Sequence, residues 1–232
     1  IGKAVALRLV QEGAHVVMAD RDEEMLESSL AELKTHGTAS SLFLDITNEV
    51  EVKERLESVV KTHGQLDMMF NSAGIIGATS TKITDYDTAT YEQVFRVNQL
   101  GSFLMTKYAL VHMLPRNYGR ILLMASIAGK DGNPGMAGYT STKAAVIGLV
   151  KGVGKEFAET GITINALAPA VISTPLNQKT DPATLQYMLD KIPMKRLGTV
   201  EETSAIACWI LSKEASFNTA CVFDLSGGRA VY

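Results

Sequence analysis

The chain alternates short runs of consecutive apolar residues with longer stretches in which apolar residues recur every three or four positions. After Ile1-Gly2-Lys3 a helical pattern carries Val5, Leu7, Leu9 and Val10 and closes at Gly13. Residues 15–20 (HVVMAD) read as a buried strand. A helix is predicted over 22–35, with Asp22, Glu23, Glu24 and Glu27 on its polar side, Met25, Leu26, Leu30 and Leu33 on its apolar side, and Gly37 as its stop. A strand over 40–44 ends at Asp45, and a helix over 48–63 follows with Asn48 as its N-cap. A strand over 66–70 runs into Asn71-Ser72-Ala73-Gly74. A long helix is predicted over 88–114, bent near Gly101 and stopped by Pro115, then a strand over 119–125 and a helix over 137–158. Gly161 precedes a strand over 162–167; a short helix near 182–191, a helix over 200–211 and a strand over 219–225 complete the pattern.

Strands alternating with helices predict an α/β chain: a doubly wound parallel sheet with helices on both faces, in one domain over 1–232. The uninterrupted apolar strands fit burial on both sides. No internal repeat, low-complexity tract or linker breaks the pattern. Residues 169–198 hold Pro169, Pro175 and Pro182 and are too long for a simple connection, so 173–196 is expected to act as a lid within the domain.

Composition removes several classes of function. A chain of 232 residues, 46% hydrophobic and 20% charged, can bury one sizeable core. A net charge of −3 and a pI near 5.9 leave no footprint for nucleic acid. No apolar run approaches the roughly 18 residues that span a bilayer. The given sequence carries no signal peptide, which makes the cytoplasm the default compartment. Cys208 and Cys221 form no metal or redox motif and are expected to be small buried side chains. His15, His36, His63 and His112 are scattered near element ends without metal-ligand spacing, so no metal is expected.

Candidate chemistry concentrates between Ser126 and Lys143. Tyr139 and Lys143 stand four apart on a predicted helix and so share a face. A cation there favours an ionised phenol, lowering its pKa from about 10 toward a range useful for proton transfer. Ser126, thirteen residues before Tyr139, ends the apolar run 121–125, where its hydroxyl can bond an oxygen whose charge changes during reaction. Y-x-x-x-K alone is ordinary helix surface, and a lone serine is most often a cap or turn.

What raises these residues above that is a set of polar and small residues at successive strand ends, where doubly wound sheets bind ligands. Asp20 ends its strand eighteen residues after Gly2, close to the separation between a phosphate-binding turn and a ribose-binding acid. An aspartate there accepts bonds from both ribose hydroxyls and repels a 2′-phosphate, favouring NAD over NADP. Arg21 beside it can pair with that phosphate, and a bare helix-capping role is the alternative for Asp20. Asp45, with Ile46 next to it, ends the following strand within reach of an adenine amino group. Asn71, Ala73 and Gly74 end the next, where small residues admit a cofactor close to the backbone.

Together these residues resemble the short-chain dehydrogenase/reductase family over nearly the whole chain. Asn71-Ser72-Ala73-Gly74 is similar to the family's N-N-A-G, Asn98 in R-V-N to its helix asparagine, Ser126 with Tyr139 and Lys143 to its serine and Y-x-x-x-K, and residues 169–174 (PAVIST) to its P-G-x-x-x-T. The resemblance implies that Tyr139 is the general acid/base, that Ser126 orients the substrate oxygen, and that Lys143 binds the nicotinamide ribose and depresses the tyrosine pKa. It implies that Asn98 holds a water joining Lys143 to solvent, that the backbone near Ile172 and the Thr174 hydroxyl fix the nicotinamide carboxamide, and that Pro169 also belongs to the cofactor site. Two departures stand out. The family's T-G-x-x-x-G-I-G turn survives only as Ile1-Gly2, so a strand and glycine-rich turn are expected to precede the given sequence; without them a central strand would be lost and cofactor binding put in doubt, an inactive fragment being the third reading. Ala170 stands where the family commonly has glycine, which adds a Cβ beside the nicotinamide loop.

The resemblance is to members acting as 3-oxoacyl-carrier-protein reductases or as sugar and sugar-acid dehydrogenases. Biosynthetic reductases of the family usually take NADPH; Asp20 points instead to NAD-linked oxidation of a small polar secondary alcohol. Asn177, Gln178, Lys179 and Thr180 on the lid, with Asn133 and Met136 on the loop before Tyr139, suit a hydroxylated substrate, and Lys179, Lys195 or Arg196 suit an acidic one. The same side chains could equally solvate a loop. A non-catalytic nucleotide sensor or scaffold is the reading from another class, against which the complete Asn98, Ser126, Tyr139 and Lys143 set argues. The resemblance also implies a homotetramer, packed through the helices predicted over 88–114 and 137–158, whose faces include apolar Phe103, Leu104, Leu110 and Val111.

Overall fold

The computed structural model of the chain describes residues 1–174, 182–230 and 232. It opens with α1 (Gly2–Gln11), β1 (Val16–Asp20), α2 (Glu23–Lys34), β2 (Ala39–Phe43), α3 (Glu49–His63) and β3 (Met68–Asn71). There follow α4 (Thr88–Phe95), α5 (Gly101–Met113), β4 (Gly119–Met124), α6 (Ile127–Asp131) and α7 (Ala137–Glu156). The chain closes with β5 (Ile162–Pro169), α8 (Pro182–Asp190), α9 (Val200–Leu211) and β6 (Val222–Leu225). The expected α/β alternation is therefore present, with boundaries shifted by a residue or two, and by three at the start of β6.

Every strand pairing among the described residues is parallel, in two ladders. β1 pairs with β2, from Val16 opposite Ala39 to Asp20 opposite Phe43. The second ladder runs β3-β4-β5-β6, with Asn71 opposite Leu123, Leu123 opposite Ala166, and Ala166 opposite Val222. Parallel pairing puts the carboxyl ends of all strands in a ladder on one edge, which is where Asn71, the residues after Met124, and Pro169 lie.

Side-chain alternation along β4 builds the layers. Ile121 and Leu123 join Val52, Leu56, Leu104, Val146 and Val150 in the core under α3, α5 and α7. Leu122 and Met124 point the other way and join Val5, Ala207, Ile210 and Leu211 under α1 and α9. A strand with every residue from Gly119 to Met124 buried requires cover on both faces, as its unbroken apolar run implied. A third cluster, with Val10, Leu26 and Leu33, seats α1 and α2 beside β1 and β2.

Several local expectations are refined. Asn48 does cap α3, its side chain accepting the Glu51 amide. Gly37 does not cap α2, which ends at Lys34 with Thr35 as C-cap. It is a point of close approach instead, because a Cβ there would lie 2.8 Å from Val10 Cγ1. The single helix predicted over 88–114 is α4, a π-helical turn at Arg96–Leu100, and α5, finishing in a 3-10 turn at Leu114–Arg116 around Pro115. The irregularity is thus immediately before Gly101, and it carries Asn98, which is fully buried. α6 was not foreseen. Cys208 and Cys221 are free and partly exposed rather than buried. His15 and His63 meet edge to face with ring centroids 4.2 Å apart, tying the start of β1 to the last turn of α3.

No helix among the described residues is long and apolar enough to cross a membrane. Among the same residues no group of three or more His, Cys, Asp or Glu side chains could hold a metal ion. Of the expected lid, residues 175–181, with Asn177, Gln178, Lys179 and Thr180, lie outside the described residues.

Candidate active site

The site is assembled at the carboxyl ends of β3 and β4. β4 delivers Ser126 as the N-cap of α6, its Oγ accepting the Ala128 amide at 3.1 Å. α6 is one short turn that folds back onto α7. The two helices approach so closely that a Cβ on Gly129 would lie 2.6 Å from the Lys143 carbonyl carbon. Only glycine fits at that crossing, and the fit sets where Ser126 stands relative to the first turns of α7.

α7 projects Tyr139, Thr142 and Lys143 from one face, as spacings of three and four require. The Lys143 side chain is buried, at 4% exposure for the residue, and its Nζ donates to the Met124 carbonyl at 2.7 Å. Burial lowers its pKa to about 8. The same Nζ lies 5.6 Å from the Tyr139 ring centroid. Burial pushes the Tyr139 phenol above its ordinary value, and a hydrogen bond with Ser126 draws it partly back. This corrects the expectation that Lys143 would hold the phenol low. The ammonium is turned to a carbonyl at the strand end, and desolvation dominates the phenol.

Asn98 is locked into the end of β3. Its Oδ1 accepts the Ile75 amide at 2.8 Å and its Nδ2 donates to the Ile75 carbonyl at 2.9 Å and to Thr142 Oγ1 at 3.2 Å. It thereby joins the strand-end loop to α7. A Cβ on Gly74 would lie 3.1 Å from Asn98 Oδ1 and 3.4 Å from Lys143 Nζ, so the loop backbone passes directly over both. Asn71, nearly buried, donates from Nδ2 to Ser102 Oγ at 3.2 Å and accepts the Ala73 amide at 3.2 Å. Gly2, at the start of α1, reaches the same loop, since a Cβ there would lie 2.6 Å from Ser72 Oγ.

The remaining candidates lie at or just beyond the ends of other strands. Asp20 is exposed at the end of β1 and its Oδ1 accepts the Asp22 amide at 3.1 Å. Arg21 is exposed beside it and, with Asp22, Glu23 and Phe43, lines an open cleft. Asp45 accepts the Thr47 amide at 2.9 Å, and Ile46 packs over Gly101, where a Cβ would lie 2.5 Å from Ile46 Cδ1. Pro169 ends β5 opposite Leu225. Ile172 bridges Gly198, and the Ser173 amide donates to the Gly198 carbonyl at 2.8 Å; Thr174 follows, half-buried. Two of the cations proposed for an acidic substrate are engaged: Lys195 Nζ donates to the Asp190 carbonyl at 2.9 Å, and Arg196 is paired through two nitrogens with Glu202.

Sequence reasoning missed Gly129, Thr142 and the Ile75 backbone. Thr142 had a legible signal, three residues after Tyr139 on the same face. Gly129 and Ile75 had none, because their importance lies in what packs against them.

A parallel α/β fold whose polar groups gather at the strand carboxyl ends is of the dinucleotide-binding class. A family model described as enoyl-(acyl carrier protein) reductase matches residues 1–229. The chain is 38% identical over 233 residues to a 2-dehydro-3-deoxy-L-rhamnonate dehydrogenase (NAD(+)) of Sphingomonas sp. (strain SKA58), covering 100% of this chain and 92% of that protein. It is 34% identical over 233 residues to a 3-oxoacyl-[acyl-carrier-protein] reductase of Thermotoga maritima, covering 100% of this chain and 94% of that one. Among solved structures, ElxO with NADP bound superposes with a TM-score of 0.90 at 33% identity, covering 98% of this chain and 93% of that one. The chain belongs to the short-chain dehydrogenase/reductase family, NAD(P)-dependent oxidoreductases acting on CH–OH groups.

The lowered Lys143 pKa has a signed consequence. Unfolded, the lysine keeps its proton up to about pH 10.4, whereas folded it releases it above about 8, so between these values the unfolded chain binds more protons and stability rises with pH. The raised Tyr139 phenol acts oppositely, but only above its ordinary 10. Urea denaturation of wild type and Lys143→Met at several pH values should show the wild type gaining about 2 kcal/mol relative to the variant between pH 8 and 10. A difference that stays flat would contradict the burial of a charged lysine.

Proposed function

We propose that the chain catalyses NAD-linked oxidation of a small polar secondary alcohol of the sugar or sugar-acid type. The observation that carries this reading is the convergence of Ser126, Tyr139, Lys143 and Asn98 beside the bare backbone of Gly74. That backbone leaves room beside Lys143 that a Cβ would fill, which fits a ribose and nicotinamide lying along the strand ends. Asp20, exposed at the end of β1, fits the adenosine ribose hydroxyls and disfavours a 2′-phosphate. Asp45 and Ile46 would flank the adenine, and Pro169, Ile172 and Thr174 the carboxamide.

When bound, the dinucleotide supplies the hydride acceptor. The chain's own groups handle the oxygen and its proton. Tyr139 takes the carbinol proton as general base, Ser126 holds the same oxygen, and Lys143 places a positive charge below both. Asn98 holds the strand-end loop against α7 and so fixes Lys143 relative to Gly74. Because burial raises the Tyr139 phenol, its neutral form prevails at pH 7, and oxidation requires the scarcer phenolate.

The sugar-acid assignment draws on the named activity of the 38% identical relative. The second reading, NADPH-dependent reduction of a 3-oxoacyl carrier-protein thioester, is favoured by Arg21 next to Asp20 and by the named activity of the 34% identical relative. Steady-state rates with NAD and NADP on 2-dehydro-3-deoxy-L-rhamnonate, other sugar acids and β-hydroxyacyl thioesters separate the two. NAD with a sugar acid is the expected winner; a strong NADPH preference with acyl thioesters overturns the assignment.

Tyr139→Phe should lower turnover by at least about a hundredfold while leaving NADH binding, followed by fluorescence, in place. In the wild type, alcohol oxidation should accelerate above pH 7 as the phenolate fraction grows, only until Lys143 loses its charge near 8, and that rise should vanish in the variant. An unchanged rate would instead favour the non-catalytic nucleotide sensor.

We further propose a homotetramer built through the outer faces of α5 and α7. Phe103 and Val111 there remain 45% and 53% exposed, beside a groove lined also by Leu149 and Phe157. Light scattering should give four times the chain's 25.0 kDa; a mass of one chain would refute the assembly.

A further inference from the structure

The loop between α6 and α7 joins the helix capped by Ser126 to the helix that carries Tyr139. It turns at Gly132 and Gly135, both with positive φ, at 75° and 76°. Asn133 sits between them and is fastened at its backbone. Its amide donates to Thr140 Oγ1 at 3.3 Å, one residue beyond Tyr139, and its carbonyl accepts the Met136 amide at 3.2 Å.

Its side chain is fastened from the far end of the chain. Arg229 Nη2 donates to Asn133 Oδ1 at 2.8 Å, and Arg229 Nε to Asp131 Oδ2 at 3.2 Å. The Arg229 side chain is only 6% exposed. It follows a turn built on buried Ser226 and on Gly227 and Gly228, both with positive φ. Next to it Lys130, 5% exposed, pairs with Asp224 at 3.0 Å. The segment 224–230 is thus clamped onto 130–133 by two ion pairs whose cations are buried.

A guanidinium can only donate, so the amide atom facing it must be the oxygen. Arg229 therefore determines which way the Asn133 amide points. The Asn133 oxygen is used, and the NH2 group faces Met136 Sδ at 3.8 Å. A thioether is a weak acceptor, so an oxygen on a ligand would outcompete it.

We infer that Asn133, oriented by Arg229, is a specificity-determining hydrogen-bond donor that selects substrates bearing a second oxygen near the reacting carbinol. Arg229 acts as the positioning residue and does not itself touch substrate. This rests on the reading of Ser126 and Tyr139 as the reacting site, and it narrows the substrate class of that site to hydroxylated or carboxylated alcohols over plain ones.

The decisive variant is Asn133→Asp. It keeps the size of the side chain and strengthens the contact with Arg229, but it removes the donor. The measurement is kcat/KM for xylitol, an uncharged polyol that the new carboxylate does not repel, divided by that for 2-pentanol, which lacks the extra oxygens. That ratio should fall about tenfold or more in Asn133→Asp and in Arg229→Met. Arg229→Lys, which retains a donor to the amide oxygen, should fall between wild type and Arg229→Met. NADH titration and the melting temperature report folding separately, and Asn133→Asp should melt no lower than wild type. A role confined to anchoring the loop predicts an unchanged ratio in Asn133→Asp, and that result overturns the inference. If wild type binds NADH but oxidises neither alcohol, the proposed reaction fails, and the donor is tested by binding alone. Xylitol should then raise the melting temperature of the NADH-loaded wild type and not that of Asn133→Asp; equal shifts, or none in either, overturn it.

Discussion

The arrangement depends on a cation kept where water is scarce. Lys143 is held under the loop after β3 with its ammonium on the Met124 carbonyl. A buried charge with so little compensation is costly, and the fall of its pKa to about 8 measures that cost. The fold tolerates it because the surrounding elements leave no alternative. α7 is fixed by Val146 and Val150 in the central core, and Lys143, one turn before Val146 on the same helical face, meets the sheet at the carboxyl end of β4. The result is a positive charge, kept at pH 7 and released above about 8, at the edge where strand carboxyl ends and loop backbones meet.

Close approach is the second constraint, and it is met by removing side chains. Gly74 lets the β3 loop pass over Asn98 and Lys143, Gly129 lets α6 rest on α7, and Gly2 brings the start of α1 onto Ser72. At each, a single methyl group would meet a neighbour at 3.1 Å or less. The polar side chains of the site can be held this tightly only because the intervening backbone carries nothing.

Much of this was legible in the sequence. Unbroken apolar strands declared a sheet covered on both faces, and the four-residue spacing of Tyr139 and Lys143 declared a shared helical face. What was hidden depended on burial or on contacts between distant segments. The phenol was expected to be low because spacing reveals a nearby lysine but not the desolvation that outweighs it. Residues 96–100 (RVNQL) contain nothing that separates a π turn from an α-helix. α6 is five residues long and includes Gly129, too short for any periodicity to register. Arg229 and Asn133 are 96 residues apart and share no motif.

That last pairing suggests how chemistry and specificity are kept apart in this fold. Ser126, Lys143 and Asn98 are buried and braced by the Ala128 amide, the Met124 carbonyl, and Ile75 with Thr142 respectively, so they change little without unfolding the site. The loop holding Asn133 is braced instead by Arg229 and Lys130 reaching the tail, through contacts that leave the core untouched. Substitutions in the tail can therefore re-aim the loop while Ser126, Lys143 and Asn98 stay in register. Relatives 38% and 34% identical to this chain carry names for quite different substrates, a sugar acid and an acyl carrier-protein thioester. A scaffold in which the proposed reacting groups are locked into the sheet and the proposed selecting group hangs from a separate clamp is one in which such divergence costs little stability.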